Sequence, residues 1–372
     1  MKKVLKFLVN TIVMLLTCVV GGAIGFFLST ILFSGKFEIY EILLFVIGIV
    51  VAFYISILSH EAGHLIFGLL SGYGFSSFRI ASFMWIKQDC KINFRRLSIA
   101  GTGGQCLMTP PEIKNGKIPV IMYNLGGVIV NFIITALFLL LALITKDYIL
   151  ICFLFIFGAV MSLFMGLTNG IPLNIGGISN DGMNAFHLSK DNIAAEAFLN
   201  QLRMNAAQAR GLRTSEMPEE WFILPDGADM QNVHCASIAV FSAGRTLDKL
   251  DLVNAEKEAK ALLDSNYNII DLHKNLIKCD LVYTRLVNYG SSAEISSILT
   301  IEQLKFMQSM KNYPSVIRTE YAIALIRDND ENKALKIRDE FEKSAKKHPY
   351  QSDIITEREL MNKSDEIFKN SI

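Results

Sequence analysis

Ser59-His60-Glu61-Ala62-Gly63-His64 interrupts a long apolar stretch, with residues 42–58 before it and 65–70 after it. Two histidines four positions apart lie on one face of a helix, one turn from each other, so their rings can share a metal ion. The glutamate beside the first histidine can accept a proton from a water on that metal. The stretch therefore predicts a metal site in an apolar helix, and the alternative is a chance His/Glu/His in a polar patch.

Four stretches of the chain are long and apolar enough to cross a membrane, and 51% of the 372 residues are hydrophobic. A span needs about 20 apolar residues. The composition predicts a helical multi-pass membrane protein that carries a soluble part. The apolar run at the N-terminus continues to Phe33, which favours a transmembrane helix over a signal peptide. The predicted spans are about 8–33, 41–70, 119–144 and 148–168.

Lysine and arginine cluster before the first span and between the second and third spans. By the positive-inside rule, the N-terminus, the 71–118 loop and everything after residue 170 are cytoplasmic, which predicts a multi-pass protein of the plasma membrane. A helix rises 1.5 Å per residue, so His60 lies about 27 Å along the span from Ile42, near the cytoplasmic side of a core of roughly 30 Å. Water can reach the motif at that depth.

Residues 72–118 lack a helical pattern. The segments 75–80 and 91–95 alternate loosely between apolar and polar residues, as short strands do. We predict a small β-hairpin at the cytoplasmic face, whose free edge could hold an extended substrate by strand addition. A purely structural loop is the alternative.

The chain changes character near residue 186 and becomes a series of amphipathic helical segments with charged outer faces. Their length predicts an all-α domain, similar to a tetratricopeptide-repeat array, although no clean 34-residue repeat is present. The predicted domains are an N-terminal span and outer loop (1–40), a membrane core (41–185) and a cytoplasmic helical domain (186–372). The acidic balance of the last domain and the absence of a basic stripe exclude nucleic acid as a partner. The six cysteines are scattered, which indicates reduced thiols.

Two polar residues outside the motif are candidates for the same site. A zinc site with two histidines needs a third protein ligand and an open position for water. Asp181 is the best-placed carboxylate, because the other acids of the first 185 residues apart from Glu61 lie in loops or outer segments. Its alternative role is a helix cap or an Asp-Gly turn. Asn131 is an amide within an apolar span. It could hold two helices together or belong to the site, and the sequence favours neither role.

Three motifs together resemble the site-2 protease family of intramembrane metalloproteases. His60-Glu61-Ala62-Gly63-His64 matches the family's HExxH on a membrane helix. Residues 126–131 resemble its small-residue-rich helix motif that ends in asparagine. Asn169-Gly170-Ile171-Pro172, followed by Asp181-Gly182, resembles its NxxP…DG motif. The resemblance covers about residues 40–185.

The resemblance implies one Zn²⁺ per chain, held by His60, His64 and Asp181, with Glu61 as general base and then acid. Asn169, together with Asn131, would hold the substrate strand or polarise the scissile carbonyl. The segment 173–180 is longer than in the family pattern, so the role of Asp181 carries over less directly than the roles of the histidines.

The expected function is that of a metalloendopeptidase that hydrolyses a peptide bond in a membrane-embedded segment of a protein or peptide. Regulated proteolysis and the processing of signal or pheromone precursors are the expected settings. The alternative is an inert membrane anchor whose helical domain binds a cytoplasmic protein partner. The intact His60, Glu61 and His64 favour the enzyme, because a scaffold has no use for ionisable groups in lipid. A zinc transporter would need several polar spans, which the sequence lacks.

Overall fold

The structure is a computed structural model that describes residues 21–22, 25, 29, 38–88, 91–97, 102–113, 118–175, 178–290 and 293–371. The first predicted span, 8–33, lies outside the continuously described part of the chain. Within the described residues the protein is mostly helical, with a small antiparallel sheet.

Three helices of the described chain are long and apolar enough to cross a membrane. They are α1 (Ile39–Leu70), α2 (Val120–Ile144) and α3 (Ile149–Gly170). The prediction of long apolar helices near 41–70, 119–144 and 148–168 is confirmed. Gly63 on α1 meets Gly126 and Gly127 on α2, and a methyl group on Gly63 would collide with the Gly126 carbonyl. Glycine therefore brings the histidine face of α1 into backbone contact with α2.

The loop between α1 and α2 forms a four-stranded antiparallel sheet, which is larger than the predicted hairpin. Its strands are β1 (Gly74–Ile80), β2 (Phe83–Gln88), β3 (Lys91–Arg96) and β4 (Gly104–Thr109), in the order β3-β2-β1-β4. The two predicted strands correspond to β1 and β3, and both pair with β2 instead of with each other. β4 pairs with β1 and forms one edge of the sheet.

The segment between α3 and the next helix forms a short hairpin of β5 (Asn174–Ile175) and β6 (Ile178–Ser179). Asn180 Oδ1 closes it by accepting hydrogen bonds from Leu173 N at 3.0 Å and Met183 N at 2.9 Å. Asn180 is thus the N-cap of α4 (Asp181–Leu188). The extra length of 173–180 is absorbed by the hairpin, and α4 begins at Asp181.

The remaining chain is helical. Its elements are α5 (Asn192–Ala209), two 3₁₀ turns (Thr214–Glu216 and Glu219–Phe222), α6 (Val233–Asp248), α7 (Leu252–Asp264), α8 (Asp271–Tyr289), α9 (Ala293–Ile298), α10 (Ile301–Ser309), α11 (Pro314–Ala322), a π turn (Ile323–Arg327), α12 (Glu331–Ala345) and α13 (Gln351–Ser371).

The sheet lies between the long apolar helices and α5. One hydrophobic cluster joins Tyr73, Met108 and Tyr123 to Leu199 and Leu202 of α5. The predicted boundary at residue 185 falls within α4. The helical region therefore packs directly against the part of the molecule that carries the HExxH motif.

Candidate metal centre

Three ligand atoms from distant parts of the chain meet at the interface of α1, α2 and α4. The Nε2 atoms of His60 and His64 are 3.2 Å apart, and Asp181 Oδ2 lies 3.1 Å from the first and 3.3 Å from the second. The histidines are buried, and the Asp181 side chain is 21% exposed. These are the residues that the sequence analysis selected as metal ligands.

The Nδ1 atom of each histidine faces an oxygen that can only accept a hydrogen bond. His64 Nδ1 is 2.8 Å from the carbonyl oxygen of Tyr123. His60 Nδ1 is 2.6 Å from Asn131 Oδ1, whose amide nitrogen donates to Ser56 O and Ser162 Oγ. In its neutral form each ring therefore carries its proton on Nδ1, which leaves a lone pair on Nε2.

In this tautomer, both lone pairs face the Asp181 carboxylate. Asp181 Oδ2 is buried and has no hydrogen-bond donor among the described residues. Three facing acceptors repel one another unless a cation lies between them. Ligands 2.0–2.1 Å from a tetrahedral zinc ion are separated by about 3.3 Å. The observed separations of 3.1 to 3.3 Å match that value, so the three residues fit a zinc ion.

Gly127 of α2 forms one wall of this centre. A methyl group there would lie 2.7 Å from both His60 Cε1 and His64 Nε2. Only glycine lets the backbone of α2 come this close to both rings. Gly127 thus makes room for the two histidine rings.

Glu61 lies beside the ligands and against the edge strand β4. A methyl group on Gly104 would lie 2.6 Å from Glu61 Cγ and 2.7 Å from Oε1. Glu61 is 8% exposed. Its carboxylate therefore lies against the main chain of an edge strand, where a bound peptide could reach it.

The two asparagines predicted to contact substrate occupy different environments. Asn131 is fully buried, and its amide is committed to His60, Ser56 and Ser162. It orients a candidate ligand and does not line an open surface. Asn169 is partly buried, and its Nδ2 donates to Met165 O at 3.0 Å within α3. Neither amide faces Glu61 in these contacts.

A chain of contacts that the sequence analysis missed connects the centre to the helical region. His234 of α6 lies with its Nε2 3.0 Å from the Oδ1 atom of Asn184, three residues after Asp181. Its ring packs on Phe198 of α5 at 5.1 Å between centroids, and Phe198 packs on Tyr123 at 6.2 Å. Burial lowers the pKa of His234 to about 4, so the ring is neutral and donates from Nε2. No sequence signal singles these residues out.

Comparisons of the chain with protein-family models, with curated proteins and with solved structures found no match.

Proposed function

We propose that this chain is a zinc-dependent intramembrane endopeptidase that hydrolyses a peptide bond in a membrane-embedded segment of a protein or peptide substrate. The observation that carries the proposal is the meeting of two imidazole lone pairs and a carboxylate at tetrahedral zinc spacing, with Glu61 beside them. HExxH on a helix, with a third ligand and an adjacent glutamate, is the residue set of a metal-dependent peptide hydrolase.

The chemistry divides between the metal and Glu61. A zinc ion held by His60, His64 and Asp181 would lower the pKa of a bound water to about 7 and would polarise the scissile carbonyl. Glu61 accepts the proton of the attacking water on a carboxylate oxygen and passes it to the nitrogen of the departing amine. Asn131 and the Tyr123 carbonyl keep the protons of His60 and His64 on Nδ1, so both Nε2 atoms stay available.

The edge strand β4 supports a role in substrate binding. A helical substrate has its carbonyls already hydrogen-bonded, so the segment must unwind before it is cut. An extended segment added to β4 would pass Gly104 and thus Glu61. In this arrangement the sheet supplies main-chain hydrogen bonds and Asn169, near the end of α3, is the asparagine left to contact the peptide.

The proposal also includes the membrane arrangement. The N-terminal stretch 8–33 would be a fourth span, and the sheet and the helical region would lie in the cytoplasm of a cell whose plasma membrane the protein crosses. The clustered lysines and arginines of the 71–118 loop support this orientation. The paired helices after residue 186 would form a repeat-like array that recruits the substrate or a cytoplasmic partner.

Metal analysis of the detergent-purified protein tests the zinc centre. We expect about one zinc per chain in the wild type and in Glu61→Gln, and loss of zinc in His64→Ala, because only the second change removes a ligand. Glu41→Gln, at the other end of α1, is the control. Wild-type protein that elutes as a folded species without zinc would contradict the proposal.

Cleavage is tested in cells by comparing the membrane proteomes of the wild type and Glu61→Gln. The substrate should accumulate uncut in the variant, and zinc content should be unchanged. A membrane proteome that is identical in both strains would favour the inert scaffold.

A further inference from the structure

A cavity of about 250 Å³ lies in the helical region, between α13 and the helices α6, α7 and α8. Its walls are of two kinds. Apolar side chains form one part, among them Phe241, Leu276 and Ile277, and four carboxylates form the other. The carboxylates belong to Asp248, Asp280, Asp353 and Glu357.

Two of these carboxylates accept hydrogen bonds from arginine. Asp248 accepts from Arg213 Nη2 at 2.8 Å and from Ser215 N at 2.6 Å. Asp280 accepts from Arg318 Nη2 at 2.5 Å, and Arg318 is fully buried against the ring of Tyr283.

Among the described residues, the other two carboxylates accept no hydrogen bond from an arginine, and Glu357 has only an ion pair with Arg318. Asp353 accepts only one neutral hydrogen bond, from Gln208 Nε2 at 3.2 Å. Glu357 Oε2 is buried and accepts no hydrogen bond, and Arg318 Nε is 3.4 Å away with its own bonding unsatisfied. In the described chain, the four acids of the cavity wall therefore share the charge of two arginines, and one of these, Arg213, also pairs with Glu359 at 2.8 Å.

Asp353 and Glu357 are four residues apart on α13, so they lie on one face, one turn from each other. Burial raises the pKa of each carboxyl to about 7. Both groups would hold their charge more readily with a cation in the cavity. His273 adds no cation, because burial lowers its pKa.

The lining selects the kind of cation. Arginine and lysine lay an aliphatic stem along apolar surface and present a charged head, and a guanidinium can bridge two carboxylates. The volume is below the roughly 300–1,000 Å³ of sites for drug-sized ligands. It therefore suits one side chain better than a whole small molecule.

We propose that this cavity binds an arginine or lysine side chain from the cytoplasmic flank of the substrate's membrane segment, with Asp353 and Glu357 contacting the cationic head. Membrane segments carry Lys and Arg at their cytoplasmic ends, so the substrate would present such a residue. That the residue belongs to a substrate rests on the proposed function, whereas recognition of the cation does not.

The length of helix α6 gives the distance between the metal centre and the cavity. The helix begins near His234, which is bonded to Asn184 beside the metal centre, and ends at Asp248 in the cavity wall. At 1.5 Å per residue these ends are about 21 Å apart. An extended peptide covers that distance in roughly six residues, so the basic residue would lie about that far from the cut bond.

The test is a binding assay on the full chain in detergent. The probe is a fluorescein-labelled heptapeptide with one arginine between leucines, and its binding is measured by fluorescence polarisation. The neutral control is the same peptide with citrulline in place of arginine. We expect saturable binding of the arginine peptide and at least tenfold weaker binding of the neutral one. Asp353→Asn should also weaken the arginine peptide at least tenfold, while Glu366→Gln, an exposed acid on the same helix, should not.

Asp353→Asn keeps the shape of the side chain and can still accept from Gln208, so it tests charge without a loss of fold. Its unfolding midpoint should be no lower than that of the wild type. Equal binding of the arginine and citrulline peptides would overturn the proposal. So would displacement of the peptide by calcium at the peptide's own concentration, since the cavity would then be a site for metal cations.

His64→Ala separates the two proposals. It should lose zinc and keep the affinity for the arginine peptide. If zinc is absent from the wild type but the peptide binds, the proposed function fails and the cation site stands. If zinc is present and no peptide binds, the zinc centre of the proposed function stands and the cation site fails.

Discussion

His60 Nδ1 and Asn131 Oδ1 are 2.6 Å apart across the interface of α1 and α2. The amide of Asn131 cannot turn over, because its nitrogen donates to Ser56 O at 3.1 Å and to Ser162 Oγ at 3.0 Å. The proton of His60 is therefore fixed on Nδ1, and its Nε2 lone pair faces His64 and Asp181. A fully buried amide thus sets the chemical state of a candidate ligand 71 residues away in the chain.

Asn131→Ala should weaken zinc binding by about 10- to 100-fold, because residues that orient a ligand carry that much of the affinity. Competition with a chelating dye on the purified protein measures the change. Asn124→Ala is the matched control, since Asn124 is a buried amide two turns earlier on α2 that bonds only within its own helix. Unchanged zinc affinity in Asn131→Ala would show that the hydrogen bond to His60 is not needed.

Gly127→Ala should abolish zinc binding. The new methyl group would be 2.7 Å from His64 Nε2, so either the ring or helix α2 must move. The matched control is Gly166→Ala on α3, whose methyl group would meet its neighbours at 3.5 and 3.6 Å, an ordinary contact distance. Zinc content and the unfolding midpoint of both variants measure the effect. A zinc-replete Gly127→Ala protein would contradict the close packing of α2 on the histidines.

Asp353 should make the helical region less stable as the pH rises. Burial raises its pKa from 3.8 to about 7, and the negative charge of Asp248 adds to the effect. The folded protein therefore holds this proton more tightly than the unfolded chain. The stabilisation is complete below pH 4 and is lost as the pH rises through about 7, by at most about 1.4 kcal/mol per pH unit for one group.

The unfolding midpoint should consequently decrease as the pH is raised from about 4 to about 7 and change little above that, and Asp353→Asn should reduce this decrease. Thermal unfolding in detergent at several pH values measures it. Glu366→Gln should keep the pH dependence of the wild type, because Glu366 is at the surface. The same slope in Asp353→Asn would assign the pH dependence to other groups.

Asp248→Asn should destabilise the protein by about 3 kcal/mol, the cost of breaking a buried charge pair. Asp248 is 5% exposed and accepts from Arg213, Ser215 and Thr356. Burial raises its pKa, but these hydrogen bonds outweigh burial and leave the pKa below the ordinary value. Denaturant unfolding measures the loss.

The control for Asp248→Asn is Glu342→Gln, which removes a two-pronged pair with Arg358 at the surface. Exposed pairs contribute about 0–1 kcal/mol, so this change should cost little. If the two substitutions cost the same, burial would not be what makes the Asp248 contacts stabilising.

The sequence by itself determined the local features. The apolar runs produced the three long helices, because a helix makes all its backbone hydrogen bonds within one segment, which apolar surroundings require. The spacing of His60 and His64 put both rings on one face of α1, since four residues make about one helical turn. The strand pattern of 72–118 located β1 and β3. Each of these follows from neighbours in the chain.

The tertiary structure alone decided the features that depend on distant packing. It brought Asp181 to the two histidines through the hairpin of 173–180, and it assigned Asn131 to His60 instead of to an open surface. It paired β1 and β3 through β2, and it closed α13 over α6 to α8 to form the acidic cavity. A side chain's chemistry can be read from its letter, but the partner it meets depends on how whole helices pack, which no local pattern encodes.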